Sequence, residues 1–427
     1  MRSGDETRES KMRRDYFDYT REKLVSFNRQ ISDLLAADFP VPRTRVALEN
    51  IQGVFDAQLG RIDSLGVVSD KVRKETCAHV NVMIRKFLPL LGFILRSTNV
   101  RNSFELTDPI TRLSKHLFKK DLVFILSSEW EFSPLTYSLS FQELPDVILL
   151  GLPSFESTNA LVIPLAGHEL GHWIWREEDI STKNAGTLEE NVLNVYRDDW
   201  NDFRRNFWDK DIGTIKTDIQ IRDVWLISYN SAIHQIEEIF TDFIGLKLFG
   251  ETYLHSFEYL LAPSIGEFRS RDYPGMKTRA EYLEKAAVHF GISVPTNYSR
   301  RFDNPAGISD PADRFLTDTS DGARSATIDT ILAYVDEIGV KLQFPKTSKE
   351  KTEQCLQCIR NGVPTEGMGY IGNIINAGWM AYLDETVLPW AEKREGRRID
   401  ALNEILLKSI EVVEFEARMK AGDVANC

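Results

Sequence analysis

His168-Glu169-Leu170-Gly171-His172 is the stretch of the chain best suited to chemistry. On a helix, a four-residue spacing brings both imidazoles to one face, one turn apart, where they can share a metal ion. With 7 His and 33 Glu in 427 positions, a shuffled chain would contain this pattern only about 0.01 times. Two histidines are an incomplete set, because zinc at a reactive centre takes three protein ligands and leaves the fourth position to water. In the later segment His234-Gln-Ile-Glu237-Glu238-Ile-Phe-Thr-Asp242, positions 234, 238 and 242 share a helix face. Glu238 can supply the carboxylate ligand. Asp242, one turn on, can accept the free ring N–H of a ligating histidine and so fix its tautomer. His234 either approaches the same metal or fills the interface between the two helices, and the second is the expectation. Gly167 and Gly171 are costly inside a helix, which points to close approach of another helix on that face.

Together, GHELGH and the later EEIFTDFIGLKLFG, with Glu238 placed 66 residues after His172, resemble the gluzincin metallopeptidases. In that group a first helix holds HExxH and a second holds ExxxD. The pattern is most similar to the HtpX-like and CAAX-prenyl protease family, which adds a downstream glycine and an HP-x4-R element. Tyr273-Pro274-Gly-Met-Lys-Thr-Arg279 is similar to that element with Tyr in place of His, and Thr241 stands where the family usually has Ala. The likeness runs from about Leu161 to Leu283. It implies a gluzincin-like zincin core with a small sheet beside the HExxH helix, and zinc held by His168, His172 and Glu238. It implies Glu169 as the general base, which takes a proton from zinc-activated water and later delivers it to the leaving amine. It also implies that Asp242 pairs with His168. The oxyanion needs a further donor, for which Tyr273 is preferred over His255, Tyr253 and Tyr259. Arg279 corresponds to the family arginine or pairs with an acidic surface group. Such sites bind an extended peptide along a sheet edge, and Asp146 to Leu152 is the candidate edge strand unless that apolar run is a central one.

Periodicity predicts the elements that must position these residues. From about Tyr16 to Val100 apolar residues recur at threes and fours, as in Val46, Ile51, Val54, Phe55, Leu59 and Ile62, so several amphipathic helices are expected. Short runs at 121–126, 135–141 and 146–150, separated by turn residues, predict a small sheet. Ser157, Thr158 and Asn159 offer caps for a helix over 160–175, where Pro164 must lie in the first turn or mark the true start. Helical patterns return over 189–208, 225–249, 278–290, 328–342, 348–360, 371–388 and 400–420, and the polar stretch 296–326 reads as a long surface loop. The fold class is therefore mainly α (α+β). Its regions are a helical N-terminal part (1–120), a metallopeptidase-like core (121–295), and a loop with a helical C-terminal part (296–427).

Composition narrows the function. A chain of 427 residues with 42% apolar and 27% charged residues has the make-up of an ordinary globular protein. A net charge of -12 argues against a nucleic-acid partner. The first residues mix both signs of charge, unlike a secretory or transit signal. The longest apolar run, Phe87 to Leu95, falls short of the ~20 residues that cross a bilayer, so membrane insertion is not expected. Four cysteines (Cys77, Cys355, Cys358, Cys427) make no disulfide framework and suit a reducing, cytoplasmic setting. Cys355 and Cys358 form a CxxC within a helical pattern and read as ordinary thiols. The segment from Asn373 to Trp379 either lines a cleft or packs its small residues against a neighbour. No phosphate-binding loop, nucleophile elbow or dinucleotide fingerprint is present. The expectation is a soluble zinc metalloendopeptidase acting on a peptide or protein substrate. The other readings are a catalytically idle zinc-binding scaffold and a zinc hydrolase of a non-peptide amide. The intact Glu169 argues against the scaffold, since a structural zinc site needs no base. The sequence sets no oligomeric state.

Overall fold

The computed structural model describes residues 16–39, 43–65, 68–97, 103–120, 122–129, 135–136, 147–153, 156, 158–263, 269–388, 390 and 398–421. Among these residues the chain is mainly helical, with fourteen α-helices and three strands. It forms two compact units. The first comprises Met1–Thr107, Asp121–Trp130 and Thr136–Ser157; the second comprises Asp108–Lys120, Glu131–Leu135 and Thr158–Cys427. Composition divides the sequence differently, into 1–120, 121–295 and 296–427, because it sets the strands apart from the helices before them.

In the first unit, α1 (Tyr16–Leu35), α2 (Arg43–Asp63) and α3 (Asp70–Ser97) pack around Phe27, Phe55 and Phe87. The Phe27 and Phe55 centroids lie 4.5 Å apart, and Phe55 meets Phe87 edge to face at 5.2 Å. Strand β1 (Val123–Glu129) pairs in parallel with β3 (Val147–Pro153), from Val123 opposite Val147 to Glu129 opposite Pro153. The sheet order is β1-β3-β2, with β2 at Leu135–Thr136. Thus 147–152 is the central strand and not the edge expected for peptide binding, in keeping with its unbroken apolar run; Asp146 lies outside the described residues. The sheet packs on α2 and α3. Among the described residues α3 is also the one helix long and apolar enough to cross a membrane by length and composition. Reading the apolar run as bounded by Arg85 and Lys86 missed it. One face of α3, from Val80 through Met83, Phe87, Leu90, Leu91 and Ile94, lies in the core of this unit.

In the second unit, a 3-10 turn (Ala160–Leu165) leads into α5 (Ala166–Glu177), and the Asn159 side chain caps the turn by accepting from Leu161 N at 3.1 Å. Pro164 therefore precedes the true helix start, as its missing N–H requires. An earlier helix, α4 (Ser103–Phe118), runs into this unit. After α6 (Ile180–Asp198) and α7 (Trp200–Asn206) comes α8 (Ile219–Phe249), capped by Asp218, whose carboxylate accepts from Gln220 N and Ile221 N. Its second half, from Ile239 to Leu246, is buried all round, as expected of a helix surrounded by others. Helices α5, α6, α10 (Met276–Phe290) and α11 (Pro311–Lys341) pack on it, and α9 (Glu251–Leu261) follows at Gly250. The remaining helices are α12 (Lys349–Arg360), α13 (Ile371–Leu383) and α14 (Arg398–Ala421).

The expected loop over 296–326 is helical from Pro311 onward. Asp310 caps the helix by accepting from Asp313 N, Pro311 takes the first position, and Phe315, Leu316, Thr319, Ser320 and Ala323 are buried. Polar composition concealed a capped start that the Asp-Pro pair announces.

Candidate metal centre

Helices α5 and α8 touch backbone to backbone. A Cβ on Gly171 would lie 2.7 Å from Thr241 Cα, and one on Gly167 would lie 2.9 Å from Gly245 Cα. Any larger residue would force the helices apart, which explains why two glycines are tolerated inside α5. This contact brings the His168 and His172 rings, edge to face with centroids 4.9 Å apart, against Glu238. The His168 Nε2 atom lies 3.5 Å from Glu238 Oε2, and His172 Nε2 lies 3.8 Å from Glu238 Oε1. One ligand atom from each of the three residues lies within 4.8 Å of the others. Ligands about 2.0–2.1 Å from a tetrahedral ion stand about 3.3 Å apart, so this two-nitrogen, one-oxygen set has the right donors and would draw in by up to about 1.5 Å around a metal ion.

The second nitrogen of each histidine is held by a carboxylate. His168 Nδ1 lies 3.0 Å from Asp242 Oδ1 and 2.9 Å from Thr241 Oγ1, while His172 Nδ1 lies 2.8 Å from Glu237 Oε1. In their neutral forms, with the proton on Nδ1, both rings would turn an Nε2 lone pair toward Glu238. Spacing alone gives neither Glu237 nor Thr241 a role at these rings. The double glutamate at 237–238 was the available signal, since adjacent helix positions diverge by about 100° and can reach two different groups.

Asp242 is fully buried and has three further contacts. Arg279 donates to it through Nε (2.8 Å) and Nη2 (2.7 Å), and Tyr253 donates its hydroxyl at 2.8 Å. Burial alone would push the Asp242 carboxyl up, but the Arg279 charge and hydrogen bonds, with His168, reverse this and hold it well below the usual carboxylate range. Burial likewise pulls the His172 imidazole down. The Glu237 hydrogen bond and the charges of Glu169, Glu238 and Glu237 outweigh this and bring it up to about 8. Arg279 thus pairs with a buried acid and not a surface one, and its Nη1 also lies 3.5 Å from Glu238 Oε2.

The other expected residues fall as follows. Glu169 is buried on α5, at 4% exposure. Tyr273 is 57% exposed on the loop before α10, which Ser231 (to Asp272, 2.7 Å) and Gln235 (to the Arg271 carbonyl) tie to α8. Partial burial and the charges of Glu238, Asp272 and Glu237 raise its phenol, so its proton is retained. Tyr253 is committed to Asp242 and is not a candidate oxyanion donor. His255 and Tyr259 instead face Trp379 on α13. His234 neither ligates nor fills the helix interface: its side chain is 59% exposed, with Nδ1 3.9 Å from Asp272 Oδ1. Position 234 lies a turn before the close helix contact. Cys77 and Cys355 are buried and Cys358 is half-buried, and burial pushes the Cys355 thiol up to about 12; Cys427 lies outside the described residues.

No family model, curated protein sequence or solved structure matches this chain.

Proposed function

We propose that this chain is a zinc-dependent metallopeptidase with a gluzincin-like core, acting on a peptide or protein substrate. The observation that carries the reading is the convergence of His168, His172 and Glu238 with Glu169 buried on the same helix as the two histidines. A purely structural zinc site closes with four protein ligands, whereas three donors leave a position for water. Held by these three side chains, zinc would supply Lewis acidity and a water of lowered pKa. Glu169 is then the group that accepts the water's proton and passes it to the leaving amine. Asp242 and Glu237 keep both imidazoles in the ligating tautomer, and Arg279 keeps Asp242 ionised. Tyr273, on the loop that Ser231 and Gln235 tie to α8, is the proposed donor for the developing oxyanion. The Cys355 and Cys358 thiols favour a reducing setting such as the cytoplasm.

The test is hydrolysis of an unfolded protein by the zinc-loaded chain and by its Glu169→Gln variant. Glu169→Gln should keep its metal and its fold while turnover drops by about 10²–10⁴-fold, the usual contribution of a general base. Undiminished turnover in that variant, or cleavage that survives complete metal removal, would overturn the reading.

A further inference from the structure

A second site lies on the opposite side of α9 from the metal centre. Tyr253 points to Asp242, while residues two, five and six positions later, His255, Glu258 and Tyr259, project from the other side of the helix. With Trp379 and Tyr382 of α13, they line an open cavity of about 630 Å³. That volume lies within the usual range for small-molecule sites.

Three of the rings are nearly perpendicular to one another. Trp379 and Tyr382 meet at 89° with centroids 5.5 Å apart, Tyr259 and Trp379 at 73° and 6.1 Å, and Tyr259 and Tyr382 at 84° and 6.4 Å. Three perpendicular planes with such spacings form a corner. A point in front of all three faces of such a corner stands roughly 4 Å from each centroid, inside the ~6 Å over which a cation is attracted to a ring face. His255 stacks on one face of Trp379 at 5.2 Å, and the Trp379 indole donates to the Leu161 carbonyl at 3.0 Å, so the Trp379 ring is held in place.

We propose that this corner binds a quaternary ammonium group. The charged wall decides which cation fits. Glu258 is already engaged by Arg301, whose Nη1 lies 2.6 Å from each carboxylate oxygen and whose Nη2 donates to the Thr296 carbonyl. A primary ammonium entering the corner would give up its water and compete with Arg301 for that acceptor. A trimethylammonium head requires no hydrogen bonds, and the ring faces alone satisfy it. The group can belong to a small cation or to a trimethylated lysine side chain.

Titration of the full chain, followed by Trp fluorescence or calorimetry, tests this with choline, ethanolamine and the neutral carbon analogue 3,3-dimethylbutan-1-ol. Choline should bind at least tenfold tighter than both. Tyr382→Leu, which keeps an apolar side chain but removes a ring face, should weaken choline roughly five- to thirtyfold with the melting temperature unchanged. A trimethyl-lysine peptide that binds tighter than choline assigns the group to a protein side chain, and one that binds more weakly assigns it to a small molecule. Equal affinity for the neutral analogue, or no saturable choline binding by the wild type, overturns the proposal. Neither result bears on the metal centre, whose ligands lie elsewhere.

Discussion

In the first unit the interior is a run of rings, Phe27 against Phe55 against Phe87, enclosed by Leu24, Ile31, Leu48, Ile51 and Leu90. Between α5, α8, α9 and α10 the interior holds instead Asp242, Arg279 and the two imidazoles, cross-linked with Tyr253 and Glu237 by hydrogen bonds of 2.7 to 3.0 Å, and the buried Glu169. The apolar core is non-directional, so it depends on volume and tolerates exchange of similar shapes. The polar interior depends on every partner being present, because a buried charge that loses its counter-charge has no water to replace it. Two equally buried regions should therefore respond differently to equally gentle substitutions.

The largest contrast is expected between Asp242→Asn and Phe55→Leu. The first leaves the Arg279 guanidinium buried without its counter-charge and should cost about 3–5 kcal/mol in denaturant unfolding. The second keeps an apolar side chain and should cost about 1 kcal/mol. Comparable losses would remove the distinction. Next is Glu237→Gln, which weakens the hold on His172 Nδ1; zinc affinity measured by competition should fall about 10–100-fold with little change in unfolding. The smallest effects come from one substitution made in both regions. In α5, Gly171→Ala sets a Cβ against the Thr241 backbone and should destabilise by about 1–3 kcal/mol. In α2, Gly60 has nothing within 4 Å of the added Cβ, so Gly60→Ala should stabilise by up to about 1 kcal/mol through helix propensity. Melting temperatures that move in the same direction would contradict the close approach of α5 and α8.

The sequence reveals this architecture unevenly, for physical reasons. HExxH and Glu238 are legible because helix periodicity fixes which side chains share a face, and Gly171 reveals a helix contact because only close approach justifies its cost. Arg279 and Tyr253 are harder, since their partner Asp242 lies 37 and 11 residues away and nothing local shows that all three are buried together. Glu237 is visible as half of an acidic pair but reads equally as a solvated charge. The strand at 147–153 has the composition of either a central or an edge strand, and only its pairing decides. Composition also misplaces the start of α11, although the Asp310-Pro311 pair marks it.

Elemental analysis after zinc reconstitution and dialysis, on wild type beside Glu238→Gln, tests the three-ligand centre itself. We expect close to one zinc per chain in the wild type, and loss or marked weakening of binding in the variant with its fold retained. A wild type that takes up no zinc, or a variant that holds it as tightly, would contradict a centre built from His168, His172 and Glu238.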